Sequence, residues 1–202
     1  MEHAREVPCA APELPAGIAE ALHTLGTEWV WARSTVGQSD GKVWRLTSAQ
    51  SGTAHYLKHG TGEVAEDLQS ELVRLRWLAQ HMPVPQVAAF VHDSDAAWLL
   101  MTAVPGETAW EVLTAHPEQS GAVVDAIAAF LRQIHAIAPD SCPFNASAKH
   151  RLVLARARIA AGLVDEDDFD DARAGWSAAQ VWEAQQALLL PEAPLVVTHG
   201  DF

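Results

Sequence analysis

One feature of this chain constrains its fold more than any other: its hydrophobic rhythm changes near the middle. Up to Thr102 the apolar residues come in short, strand-like runs. Beyond Pro105-Gly106 they recur at helical spacing. Val43–Leu46 and His55–Lys58 read as strands, with a Gly/Ser-rich turn between them. Leu68, Leu72, Leu75 and Leu78 recur three and four apart and predict a helix over about 65–80, stopped by Pro83 and Pro85. Val87–His92 and Trp98–Thr102 read as two further strands. In the second half, Val123, Ile127, Phe130, Ile134 and Ile137 form an apolar helical stripe, and helices are expected over Lys149–Ala161 and Ala178–Leu190. Leu195–Thr198 has the look of a buried strand. Pro8, Pro12 and Pro15 make the first residues a loose arm, with a helix beginning near Ile18. The expectation is an α+β chain of two lobes: a sheet-rich lobe over 1–103, a mainly helical one over 104–202, and a hinge near Thr102–Gly106.

Composition limits the function classes. The 202 residues are 49% hydrophobic, enough for a packed core. The net charge of −13 argues against nucleic acid, whose phosphates call for clustered Lys and Arg, and permits a cationic ligand. Cys9 and Cys142 are too few for a disulfide framework or a zinc site. The first residues lack a basic start followed by an apolar stretch, so no signal peptide is expected. Ala96–Val104 is half the length that spans a bilayer. These features fit a soluble protein of the bacterial cytoplasm, with no membrane partner.

Several residues could carry chemistry. Glu71 shares the apolar stripe of Leu68, Leu75 and Leu78, where a carboxylate needs a cation or hydrogen-bond donors, and Lys58 on the preceding strand is available. A strand lysine held by a helix glutamate is how kinases present an ammonium to ATP phosphates. The alternative is an exposed ion pair worth about 0–1 kcal/mol. Gly37–Lys42, GQSDGK, could cover phosphates with backbone N–H groups or could be an ordinary hairpin turn. It matches neither GxxxxGK[ST] nor GxGxxG. In Leu195–Phe202 an apolar run delivers Asp201 into a loop, either as a catalytic carboxylate or as a turn residue. Asp165–Asp171 holds six acidic residues in seven, a solvated loop or a polycation site. His135, near a helix end, has a structural role more readily than a catalytic one. Trp29, Trp31, Trp77 and Trp98 are assigned to packing.

These segments, in this order, resemble the aminoglycoside 3'-phosphotransferases, the kanamycin and neomycin kinases. The resemblance is carried by VGQSDGKVWRL, YLKHGTG, ELVRLRWLAQHMPVP, AWLLMTAVPG, FLRQIHAIAPDSCPFN, GLVDEDDFDD and VVTHGDF. It implies a protein-kinase-like fold and transfer of the ATP γ-phosphoryl to an aminoglycoside hydroxyl. Lys58 would contact the α- and β-phosphates, with Glu71 fixing it, and Ser39 would lie in the loop over the phosphates. Thr102 and Val104 would meet adenine through their backbones. Asp201 would orient the 3'-hydroxyl. Asp167, Asp168 and Asp170 fall in the acidic loop that receives the substrate's ammonium groups.

The family pattern continues as HGDxxxxN and later an Asp in an I-D-x-G segment, and these two residues hold magnesium. The printed sequence ends one residue after Asp201. The expectation is therefore an incomplete C-terminal lobe, no complete magnesium site and little catalysis by this chain alone. Two rival readings are a non-catalytic fragment that binds nucleotide or polycations, and a related kinase acting on another small alcohol.

Overall fold

The computed structural model describes residues 6–35, 41–188 and 194–199. The chain divides into two compact units, Met1–Glu107 and Thr108–Phe202.

The first unit is a six-stranded antiparallel sheet with a helix on each face. Its strands are β1 (Glu6–Pro8), β2 (Trp29–Ser34), β3 (Lys42–Ser48), β4 (Ala54–Thr61), β5 (Val87–Asp93) and β6 (Ala96–Thr102), in the order β1-β2-β3-β4-β6-β5. The helices are α1 (Ala16–Leu25) and α2 (Glu63–Leu78).

Strand β6, AAWLLMT, explains why its sequence is an unbroken apolar run. It is flanked by β4 and β5, and both of its faces are covered. Leu100 joins Ile18 and Leu22 of α1 with Trp44, Leu46 and Leu57 in one core cluster, against which Trp29, Trp31 and Trp98 pack. Ala97, Leu99 and Met101 join Ala65, Leu68 and Leu72 of α2 in a second. Each fully buried leucine is worth about 1.5–3 kcal/mol relative to exposure. A register shift between Val87 and Ala89 alters the alternation of β5. Val87 and Phe90, three residues apart, therefore both pack on the α2 cluster, while Ala89 and Val91 pack on the α1 cluster.

The β4–α2 connection is set by two glycines for two different reasons. Gly62 caps α2 at φ +54° and ψ −129°, a backbone that side chains rarely adopt. Gly60 is needed for space, since a Cβ there would lie 2.1 Å from Val64 Cγ1.

The second unit contains α3 (Ala109–Ala115), α4 (Ser120–His135), α5 (Ala148–Ala160) and α6 (Ala178–Ala187), with short 3₁₀ turns. Thr108 and Glu111 form a capping box on α3, and Ser177 and Gln180 form another on α6. Among the described residues its buried apolar side chains are Ile134, Ala178 and Val197. Of the expected stripe on α4, only Ile134 is buried. No helix among the described residues is long and apolar enough to cross a membrane.

Two expectations are corrected. Part of the loose arm, Glu6–Pro8, is an edge strand on β2, tied across to β3 by the Arg45–Glu6 ion pair at 3.2 Å. Proline is compatible with an edge strand because it has no N–H to leave unpaired. The expected strand at Leu195–Thr198 is not formed. Val197 is buried, but Leu195 and Val196 are exposed, and no strand lies beside them among the described residues. An apolar run becomes a strand only where a partner supplies backbone hydrogen bonds.

Candidate functional site

Lys58 lies in the middle of β4, directly opposite Val43 of β3 and Leu99 of β6. Strand alternation puts it on the α2 face with Tyr56, which packs on the α2 cluster. Glu71 comes to the same place because α2 turns its Leu68–Leu72 stripe onto that face. The Lys58 Nζ donates to Glu71 Oε1 at 2.7 Å and to Oε2 at 2.9 Å. Both side chains stay about a third exposed, at 29% and 31%. Two of the three ammonium protons are thus directed at the carboxylate, and one is left for another anion. The expected pair is formed.

Thr102 ends β6. Its N–H donates to Gln86 O at 2.9 Å, and its hydroxyl accepts from Gln86 N at 2.8 Å. Val104 follows with an exposed side chain. Ser39 and Asp201 lie outside the described residues. His199 is described and exposed.

On the opposite sheet face, Trp98 stacks on Trp44, with centroids 6.0 Å apart and planes 13° apart, and His59 lies 4.0 Å from Trp98. Burial, and then the charge of Lys42, push the His59 pKa below the ordinary 6.5. His55, buried on that face beside Trp29, is also pushed down by desolvation, and its Nδ1 has no hydrogen-bond partner. These groups belong to the α1 core. His135 is exposed in the last turn of α4.

In the second unit the acidic loop follows α5. Asp165 Oδ1 accepts from Asp167 N at 3.0 Å, and Asp170 pairs with Arg173. Glu166 Oε1 accepts from Ala178 N at 2.6 Å, at the start of α6. The carboxylates of Asp167, Asp168 and Asp171 have no partner among the described residues, so of the three expected substrate contacts Asp170 alone is engaged. Next to the loop, α5 and α6 leave an open apolar cavity of about 310 Å³ whose lining includes Leu152, Ile159, Val164 and Trp182.

Sequence reasoning missed Tyr56 and Glu166. Tyr56 was legible as the residue two before Lys58 on one strand. Glu166 had no comparable signal, because its partner is a backbone N–H twelve residues away.

The fold agrees with comparisons to known proteins. Residues 32–202 match the family model APH, the phosphotransferase enzyme family. The chain belongs to that family. It is 49% identical over 199 residues to an aminoglycoside 3'-phosphotransferase of Escherichia coli, covering 98% of this chain and 72% of that protein. A second from Escherichia coli is 44% identical over 198 residues, with the same shares. One from Streptomyces fradiae is 35% identical over 176 residues, covering 85% of this chain and 65% of that one. Among solved structures, an aminoglycoside-3'-phosphotransferase of type VIII is 31% identical, with a TM-score of 0.70 over 93% of this chain and 69% of that one. An aminoglycoside phosphotransferase from Streptomyces rimosus, solved with ADP and streptomycin, shares the fold at 23% identity and a TM-score of 0.55, over 84% of this chain and 60% of that one. The fold class is therefore α+β and protein-kinase-like, and the chain is a phosphotransferase by family.

Proposed function

We propose that this protein transfers the γ-phosphoryl group of ATP to the 3'-hydroxyl of an aminoglycoside, the reaction that inactivates such antibiotics in bacteria. The observation that carries the reading is the two-pronged Lys58–Glu71 pair on a sheet face of a family member. It meets the requirement of phosphoryl transfer for a fixed cation beside the phosphates.

The roles follow from the chemistry of each group. Glu71 holds the Lys58 ammonium in one place, and its remaining proton bonds an α- or β-phosphate oxygen. Tyr56, on the same face, offers an aromatic surface to the base. The Thr102 N–H is spent on Gln86, so the backbone donor for adenine falls to Val104. Ser39 lies in the loop assigned to the phosphates, and Asp201 orients the attacking hydroxyl and accepts its proton. Asp167 and Asp168 take the ammonium groups of the sugar rings, and Asp170 shares its charge with Arg173. The first unit is then the nucleotide lobe and the second the substrate lobe, in a protein of the bacterial cytoplasm where ATP is at hand. Magnesium, which the family implies, supplies charge neutralisation at the phosphates. Among the described residues no group of three His, Cys, Asp or Glu side chains is arranged to hold it.

The test is incubation of the purified protein with Mg-ATP and kanamycin, with mass spectrometry of the drug. With the chain continued through the HGDxxxxN and I-D-x-G segments of the family pattern, gain of one phosphoryl group by kanamycin, and none by a 3'-deoxy aminoglycoside, is expected, while the 202 residues alone should give little product. Phosphorylation of the 3'-deoxy drug, or of neither drug by the continued chain, overturns the reading.

A further inference from the structure

We infer that Glu166 is a positioning residue for the aminoglycoside: it clips the acidic loop to the start of α6 so that the neighbouring carboxylates are held ready for a polycation. The inference rests on the reading of that loop as the substrate's ammonium site.

Asp165–Asp171 confines six carboxylates to seven residues. Like charges at such spacing repel, and a loop free to move would spread them apart. The observed loop is closed instead. The Glu166 carboxylate accepts from the Ala178 N–H at 2.6 Å, a short contact to a charged acceptor. Ala178 itself is buried, and it is the first residue of α6. That N–H is one of the donors a helix start leaves unpaired, and the positive end of the helix favours an anion there. The capping box of Ser177 and Gln180 satisfies two neighbouring N–H groups and fixes the helix end to which Glu166 is attached. At the other end of the loop, Arg173 holds Asp170, and its N–H donates to Asp170 O at 2.8 Å. The loop is thus fastened at Glu166 and at Asp170. Between the two fastenings lie Asp167 and Asp168, whose carboxylates have no protein partner among the described residues. Ordering these charges before the ligand arrives lowers the entropy lost on binding.

Glutamine separates this role from direct attraction. Glu166→Gln keeps an oxygen acceptor for the Ala178 N–H and removes the charge, whereas Glu166→Ala removes both. Two measurements are made on the full chain. The first is hydrogen exchange without ligand. Glu166→Ala is expected to speed exchange at the Ala178 amide and through 165–170, and Glu166→Gln to leave it near wild type. The second is calorimetric titration with kanamycin and separately with ATP. Glu166→Ala is expected to weaken kanamycin about tenfold, the weight of one hydrogen bond to a charged group. ATP affinity should be unchanged, and Glu166→Gln should restore most of the loss. Unchanged exchange in Glu166→Ala overturns the clip whatever the ligand does. Faster exchange with unchanged kanamycin affinity overturns the positioning role. Glutamine as poor as alanine in titration makes Glu166 a direct anionic contact and also overturns it. A wild-type chain that binds ATP but no kanamycin overturns the substrate reading itself, and the positioning role falls with it, while the exchange arm still reports on the clip.

Discussion

Gly60→Ala should be among the most damaging small changes in the first unit. The added Cβ would lie 2.1 Å from Val64 Cγ1, 2.6 Å from Val64 Cβ and 3.3 Å from the Val64 carbonyl carbon. Comfortable carbon–carbon contact begins near 3.5 Å, so the start of α2 must back away from β4 by about an ångström. Rotating Val64 does not help, since its Cβ is fixed to the backbone and is itself too close. Overpacking of this kind costs about 1–3 kcal/mol. For a unit of about a hundred residues that corresponds to a Tm lower by roughly 4–24 °C. Thermal unfolding followed by circular dichroism reads it directly. The origin of the effect is checked by Gly60→Ala combined with Val64→Gly, which leaves only the 3.3 Å contact. Val64→Gly alone costs about 1 kcal/mol as a glycine within a helix. The double variant should be little worse than that single change, so the two penalties must not add. A Gly60→Ala protein that melts within a degree of wild type, or penalties that sum, would refute the steric argument.

Three further outcomes are expected. Glu71→Ala should weaken ATP at least tenfold by calorimetry yet change unfolding free energy by no more than about 1 kcal/mol, because the pair is partly exposed. A stability loss of several kcal/mol would make the pair structural. The folded-state pKa values of His55 and His59 are both lowered, so as pH falls below 6.5 the unfolded chain takes up protons first. Stability should be fully present above that pH and decline below it, and His55→Leu should flatten the urea-midpoint profile between pH 7 and 5. Hydrogen exchange should show the slowest amides in β4 and β6, with α4 and α5 opening more readily, since among the described residues the second unit buries few apolar side chains. Equal protection in the two units would contradict that assignment.

How far the sequence could be read depended on how local each signal was. β3, β4, β5, β6 and α2 were legible because alternation and the leucine spacing are written within a few residues. Glu71 stood out because a carboxylate on an apolar stripe demands a partner. β1 was obscured by Pro8 and by its brevity, and its pairing with β2 is specified by residues some twenty-five positions away. Leu195–Thr198 misled because hydrophobicity says only that a run favours burial, whereas a strand also needs a neighbour. Ser39, which rests on the resemblance, and Asp201, which the apolar run before it also singled out, fall outside the described residues. The Glu166 clip depends on a backbone amide in the next helix, which no periodicity encodes.

The two-faced burial of β6 has a practical meaning for anyone altering this protein. Leu100 points to α1, and Leu99, one residue earlier and directly opposite Lys58, points to α2. The sheet therefore works as a partition wall. Repacking around Ile18, Leu22 and Leu57 can raise or lower melting temperature with Lys58 screened behind the backbone. The same change made around Leu68 and Leu99 shifts the helix that carries Glu71. Robustness and turnover can be tuned from opposite sides of a single strand.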